Sequence, residues 1–321
     1  MSPPASPQTT RRQSASATAA DHSASSGLVV AGHGRHYSVE TPDGERLTCH
    51  PRGKKSDCVV GDRVRWAPTT DSAEEGVITS VGPRRNLLFR QDEWKTKAFA
   101  ANLDQILVMV ASEPVFSESQ LARALIAARS AGIGARILLN KTDLPGIVEA
   151  RARLQPYVAM SVPVHELALK ARPQDARDLL DDLLAGQASL VLGPSGTGKS
   201  TMINLLAPGA RAQVGEISQA LNSGRHTTTH TQWHWVDRAG GTALIDSPGF
   251  QEFGLRQIEA QELPRLMPDL AAHTPACKFY NCTHRHEPGC GVRMALERGE
   301  ISESRYRIYG EILRELTQTH W

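Results

Sequence analysis

The chain has no long apolar run: none approaches the roughly 20 residues that span a bilayer, and the strand-like stretch 106–110 is far too short. It also lacks an export signal. Residues 1–26 are rich in Ser, Ala, Thr and Pro and hold no apolar block that could serve as a signal-peptide core. They read as a disordered tail, in which Arg11 and Arg12 could touch an RNA phosphate but fit a solvated extension better. With neither membrane segment nor export signal, the cytoplasm is the expected compartment. Charge of one sign is lacking too. Lys and Arg number 36 against 34 Asp and Glu, a net charge of +2, so composition neither demands nor excludes a nucleic-acid partner. Cysteine is sparse, with five in 321 residues. Cys277, Cys282 and Cys290 cluster with histidines while Cys49 and Cys58 stand apart as ordinary thiols, a distribution that in a reducing compartment points to metal rather than to disulfides.

What is present suits a soluble globular protein of two or three domains, with 40% hydrophobic and 22% charged residues. Residues 27–82 give short β-type runs at 28–31, 37–40, 46–49, 63–66 and 76–81, separated by turn signals such as Pro42-Asp43-Gly44 and Val60-Gly61-Asp62. Five such strands fit a small barrel of the oligonucleotide-binding (OB) type or an SH3-like barrel. A basic connector follows, to about residue 100. It sets Arg84, Arg85, Arg90, Lys95 and Lys97 against Asp92 and Glu93, with Phe89 and Trp94 interleaved. Such a mixture could grip an RNA backbone and stack a base, or link two domains with its aromatics packed on the barrel. From 101 to 268 buried strands at 105–111, 136–139, 189–192 and 242–245 alternate with helices at 118–131 and 199–206, the rhythm of a doubly wound α/β sheet. The last segment, 269–321, holds the cysteine cluster and a helix in which Tyr306, Tyr309, Leu313 and Leu316 recur at helical spacing, a stripe that reads as core.

Three motifs describe one nucleotide pocket. Gly193-Pro194-Ser195-Gly196-Thr197-Gly198-Lys199-Ser200-Thr201 is a phosphate loop. Its glycines let successive amides face a β-phosphate at a helix N-terminus, Lys199 reaches the β and γ phosphates, and Ser200 offers a hydroxyl to magnesium. Asn140-Lys141-Thr142-Asp143 reads the base: Asp143 accepts hydrogen bonds from guanine N1 and the exocyclic amine while the Lys141 stem covers the ring. Ala168-Leu169-Lys170 stands where a base-supporting Ser-Ala-Lys loop is usual. Asp246-Ser247-Pro248-Gly249 closes a strand, with Asp246 reaching magnesium through water and the Gly249 amide sensing the γ-phosphate. Gly224-Arg225-His226-Thr227-Thr228-Thr229 lies between the last two motifs as a switch I candidate. One of its threonines would ligate magnesium, Thr228 being the candidate, or the run could simply begin a strand over 231–236. Because Phe250 follows Gly249, no side chain there can polarise water, and His226 is the catalytic candidate beside Lys199. The base-reading motif precedes the phosphate loop, the reverse of the order in ordinary small GTPases, so the pocket is that of a permuted GTPase.

Cys277-x4-Cys282-x-His284-x5-Cys290 supplies three thiolates and an imidazole, a closed tetrahedral set for one structural zinc, with His286 the competing imidazole and His273 outside the tight spacing. Together with the reversed order, the phosphate-loop form, Gly-Arg-His-Thr-Thr-Thr and Asp-Ser-Pro-Gly-Phe, this knuckle closely resembles the ribosome small-subunit-dependent GTPase A family (RsgA), from about residue 27 to the C-terminus. The resemblance implies an OB barrel over 27–100 with its connector, a circularly permuted GTPase domain over 101–268 and a zinc domain over 269–321. It further implies a monomeric cytoplasmic GTP hydrolase in late maturation of the 30S subunit, binding 16S rRNA and stimulated by that subunit. A non-enzymatic, GTP-gated RNA-binding factor is the alternative that Phe250 suggests.

Overall fold

A computed structural model describes residues 25–34, 36–53, 57–69, 75–91, 96–210, 231–247 and 255–318. Arg11 and Arg12, residues 92–95 with Trp94 and Lys95, the switch candidate with His226 and Thr228, and Pro248, Gly249 and Phe250 lie outside the described residues. Strands β1 (Ser25–His33), β2 (His36–Glu40), β3 (Arg46–Pro51), β4 (Arg63–Pro68) and β5 (Glu75–Val81) run in the order β1-β2-β3-β5-β4, and β4 pairs back with β1 to close a barrel. Alternation makes its interior: on β4, Val64 and Trp66 turn inward while Arg63 and Arg65 face out. They meet Val29, Tyr37, Val39, Cys49 and Ile78 in a small core of their own. Burial pushes the Cys49 thiol up to about 11, which disfavours its reactive thiolate form.

The connector contains a β-hairpin, β6 (Leu87–Gln91) and β7 (Thr96–Ala101). Two of its basic residues are engaged internally. Arg84 Nε and Nη2 donate to Asp62 Oδ1 and Oδ2 at 2.7 and 2.8 Å, and the fully buried Asp62 also accepts from the Val59 amide at 2.8 Å. Arg85 donates to Asp104 Oδ1 at 2.7 Å and to the Asn102 carbonyl at 2.8 Å. Phe99 joins the main core. The start of the connector is therefore pinned to the barrel by a bidentate charged pair, the strong kind, and to the head of the sheet by Arg85.

Strands β8 (Gln105–Ala111), β9 (Gly134–Asn140), β10 (Val164–Glu166), β11 (Ala188–Leu192), β12 (Gln232–Asp237) and β13 (Thr242–Asp246) continue the sheet in the order β10-β9-β8-β11-β13-β12. All are parallel except β12, which is antiparallel to β13. The apolar run of β8 is shared between two cores. Ile106, Val108 and Val110 face one side of the sheet, Leu107 and Met109 the other, and β9, β11 and β13 alternate in step. Helices α1 (Glu118–Ser130) and α2 (Ile147–Ala159) cover the first side, α3 (Pro173–Leu184) and α4 (Lys199–Leu206) the second. Of these, α2 and α3 have no counterpart among the sequence expectations, although each buries three side chains.

The C-terminal helices Gly291–Glu297 and Glu303–Thr317 pack on the first side as well, where Val292, Ala295, Ile308, Tyr309 and Ile312 are buried in the sheet's own core. Arg305 holds the second of them. Only 3% exposed, it donates to Asp269 Oδ2 and Oδ1 at 2.7 and 3.1 Å, and its guanidinium lies 5.2 Å from the Tyr157 ring centre on α2. No helix among the described residues is long and apolar enough to cross a membrane. Replacing Arg84 with Ala leaves the Asp62 carboxylate buried without its cation, and a urea titration should show a loss of about 3–5 kcal/mol of stability.

Candidate guanine-nucleotide site and metal centre

The predicted pocket residues collect at the carboxyl ends of the parallel strands, where ligands of open α/β sheets bind. Ladder register puts Ala111 beside Asn140 and Val191 beside Asp246. Asn140 ends β9 with its amide buried. Its Nδ2 donates to the Thr197 carbonyl in the phosphate loop at 2.8 Å, and its Oδ1 accepts from the Leu169 amide at 3.1 Å. One side chain thus ties the base-reading strand end to both other loops. Ala168 and Leu169 are buried and Lys170 is exposed, so the loop without serine is held through the Leu169 amide. Lys141, at φ +62°, donates from Nζ to the Glu113 carbonyl at 2.6 Å, and its own carbonyl accepts from Ser112 Oγ at 2.8 Å. Thr142 turns inward, its amide and hydroxyl both donating to the Leu167 carbonyl at 3.1 Å. Asp143 is left exposed at the mouth.

Two glycines of the phosphate loop are obligatory for identifiable reasons. Gly198 sits at φ +113°, and a Cβ there would run into the Asn140 amide; at Gly193 a Cβ would strike the Met109 carbonyl of β8. Thr197 is buried and donates to the Pro194 carbonyl at 2.9 Å. Lys199 Nζ bridges the carbonyls of Gly193 and Pro194 at 2.6 and 2.9 Å. Burial pulls its ammonium below the ordinary value, opposed by the charge of Asp246. Asp246 is buried at the end of β13, Ser247 Oγ donates to the Val191 carbonyl at 3.3 Å, and Ser200 is exposed in the first turn of α4. Pro194, Ser195, Gly196 and Thr201 complete the turn around them.

The second cluster brings together Cys277, Cys282, His284 and Cys290, whose donor atoms all lie within 4.8 Å of one another. Cys277 and Cys290 sulfurs are 4.0 Å apart, and His284 Nδ1 is 3.4 and 3.5 Å from them. Cys290 caps the helix Gly291–Glu297, its sulfur accepting from the Arg293 amide at 3.5 Å. His286 is exposed outside the cluster, and His273 lies 3.6 Å from Glu300 instead. The tyrosine stripe does more than fill core: Tyr306 and Tyr309 hydroxyls donate to the His284 and Thr283 carbonyls, each at 2.7 Å. Sequence reasoning missed Glu287. Its carboxylate accepts from the Thr283 amide and hydroxyl at 2.7 and 2.6 Å and from the Arg285 and His286 amides at 3.1 Å. Burial works against its charge, but these hydrogen bonds together hold it well below the usual carboxylate range. An acid set between two ligands was the available signal.

A phosphate loop and a base-reading strand end on one parallel sheet, met in reversed order along the chain, define a circularly permuted P-loop GTPase with an N-terminal barrel. The family model described as RsgA GTPase matches residues 81–256. The small ribosomal subunit biogenesis GTPase RsgA of Variovorax paradoxus is 60% identical over 300 residues, covering 92% of this chain and 93% of that protein. The chain belongs to the RsgA GTPase family. Among solved structures, YjeQ from Thermotoga maritima is 30% identical with a TM-score of 0.68, over 92% of this chain and all of that one. YloQ, titled a circularly permuted GTPase, shares the fold at 24% identity and TM-score 0.65, over 95% of this chain and all of that one. Gly198→Ala imposes about 1–2 kcal/mol of backbone strain besides the clash with Asn140. Titration with a fluorescent GDP analogue should show affinity falling at least about tenfold.

Proposed function

We propose that this protein is a GTP hydrolase of 30S subunit maturation, binding 16S rRNA in the cytoplasm and accelerated by the small subunit. The observation that carries the reading is the Asn140 side chain, which joins a guanine-selective strand end to a phosphate loop at 2.8 Å. A relative named for small-subunit biogenesis, 60% identical across nearly the whole chain, supports the partner. We divide the chain into a tail, a barrel with its connector over 27–100, a GTPase unit over 101–268 and a metal unit over 269–321.

In this reading Asp143 accepts from guanine N1 and the exocyclic amine, Lys141 covers the base, and the amides of 193–198 receive the β-phosphate. Lys199 leaves its loop carbonyls for the β and γ phosphates. Ser200, Asp246 through water, and Thr228 would hold magnesium, which would supply positive charge against the phosphate oxygens. Water attacks the γ-phosphorus in line, and with Phe250 after Gly249 the orienting group is His226, completed by the ribosome. The cysteine knuckle holds structural zinc. A tetrahedron with zinc–sulfur bonds of about 2.3 Å has sulfur–sulfur edges of about 3.8 Å, close to the 4.0 Å between Cys277 and Cys290. The knuckle also presents an RNA-facing groove of about 1190 Å³, lined by Arg265, Arg285 and Arg314 with no carboxylate among its described lining residues, beside the fully exposed Tyr280. Cations with an exposed ring suit a single strand whose base can stack.

GTP turnover measured with purified 30S, 50S and 70S particles should rise chiefly with 30S; no rise with any particle refutes the reading. In that assay Lys199→Ala should lose about a hundredfold or more, and His226→Ala should lose stimulated turnover at unchanged nucleotide affinity. Elemental analysis of protein purified without chelator should give one zinc per chain, and its absence would refute the metal assignment.

A further inference from the structure

The barrel and the nucleotide sheet meet on one strand, β12. Ala31 of β1 pairs with Gln232, the first residue of β12, and Gln232 lies opposite Asp246 in the ladder with β13. At the other end of β12 the barrel reaches across again through Glu40, the last residue of β2. This carboxylate is 4% exposed. Its Oε2 accepts from Arg46 Nε at 2.9 Å, its Oε1 accepts from Trp235 Nε1 of β12 at 2.7 Å, and Arg238 Nη1 lies 3.3 Å from Oε1. Arg238 Nη2 donates in addition to the carbonyls of Thr41 and Pro42 at 2.9 and 3.0 Å. The turn folds over this guanidinium at Gly44, where φ is +94° and a Cβ would strike it.

A carboxylate this buried cannot replace a lost donor with water, so releasing the indole or a guanidinium costs it a hydrogen bond. The barrel therefore grips β12 at both ends of its six residues, about 20 Å, and the far end of that grip is the neighbour of the magnesium-side aspartate. Neither Glu40, Trp235 nor Arg238 belongs to the nucleotide-binding set.

We propose that Glu40 is a positioning residue for GTP hydrolysis. The clamp it forms with Trp235 and Arg238 carries movement of the barrel along β12 to Asp246, so that a subunit engaged by the barrel resets the magnesium side of the pocket. This rests on the reading of the protein as a subunit-stimulated GTPase. The clamp attaches the barrel to β12 at two points, which is what a mechanical coupling requires.

Three variants test it in the full-length protein. Trp235→Phe removes only the indole donor and keeps a ring against Trp233, with which Trp235 now makes an edge contact at 5.3 Å; Arg238→Ala removes the cation, and Glu40→Gln the charge. Unassisted GTP turnover and GDP-analogue affinity should stay near native, and co-sedimentation with 30S subunits should persist. Stimulation by 30S should fall about tenfold or more, within the range of an allosteric coupling. Native stimulation in the folded variants would overturn the clamp while leaving the function standing, and so would an equal loss of unassisted and stimulated turnover, the mark of a general structural role. If the native protein itself is not stimulated, the functional reading fails and the clamp with it.

Discussion

Three loops from three distant stretches of chain meet at the side-chain amide of Asn140, which donates to the phosphate loop at Thr197 and accepts from the loop at Leu169. Burial raises the stakes, because a primary amide withdrawn from water must have both ends paired or lose the desolvation free energy of each. That requirement explains several neighbours at once. Gly198 has to lack a Cβ because the amide occupies its space. Leu169 has to present its backbone N–H, so the residue type at that loop matters less than its path. The absence of the usual serine there is accordingly tolerable.

The sheet under the pocket is stabilised from two sides by one sequence pattern. A continuous apolar run such as 106–111 is divided by the pleat into alternate halves, each meeting a different helical layer. The C-terminal segment that carries the cysteine cluster packs on the first of these layers. Leu255, Ile258, Leu263, Met267 and Leu270, from the stretch between Asp246 and Cys277, are buried in the same core as Tyr309 and Ile312. Among the described residues, the stretch from Leu255 to Leu270 is thus packed into the same core as the helices that follow the knuckle.

Charge is used economically. A net charge of +2 conceals arginines that are paired with internal carboxylates. Arg84, Arg305 and Arg238 each hold a buried or nearly buried carboxylate across a joint: barrel to hairpin, last helix to the short turn of helix at Pro268–Ala271, and sheet to barrel. Such pairs add little net stability over apolar contacts, yet breaking one is expensive, so they fix relative placement. The arginines of the groove at the knuckle, with no carboxylate among its described lining residues, are the contrasting case.

Local pattern carried much of the architecture. Alternation gave the barrel strands and apolar runs gave the parallel ones. The fixed spacing of a phosphate loop, of Asn-Lys-Thr-Asp and of Cys-x4-Cys-x-His-x5-Cys marked the chemistry, because each of those signals lies within a few residues. What remained hidden depends on partners far apart in sequence. Arg84 could have gripped RNA until Asp62, 22 residues away, was seen to hold it, and Glu40 looked like the end of a strand until Trp235, 195 residues on, was seen to donate to it. Glu287 was overlooked because its role lies in backbone amides, which leave no letter in a motif. The sequence by itself determined which chemical groups are available and in what local geometry. Only the tertiary structure decided which charges meet each other and which are left facing solvent, since burial and pairing are set by contacts between segments that no spacing rule connects.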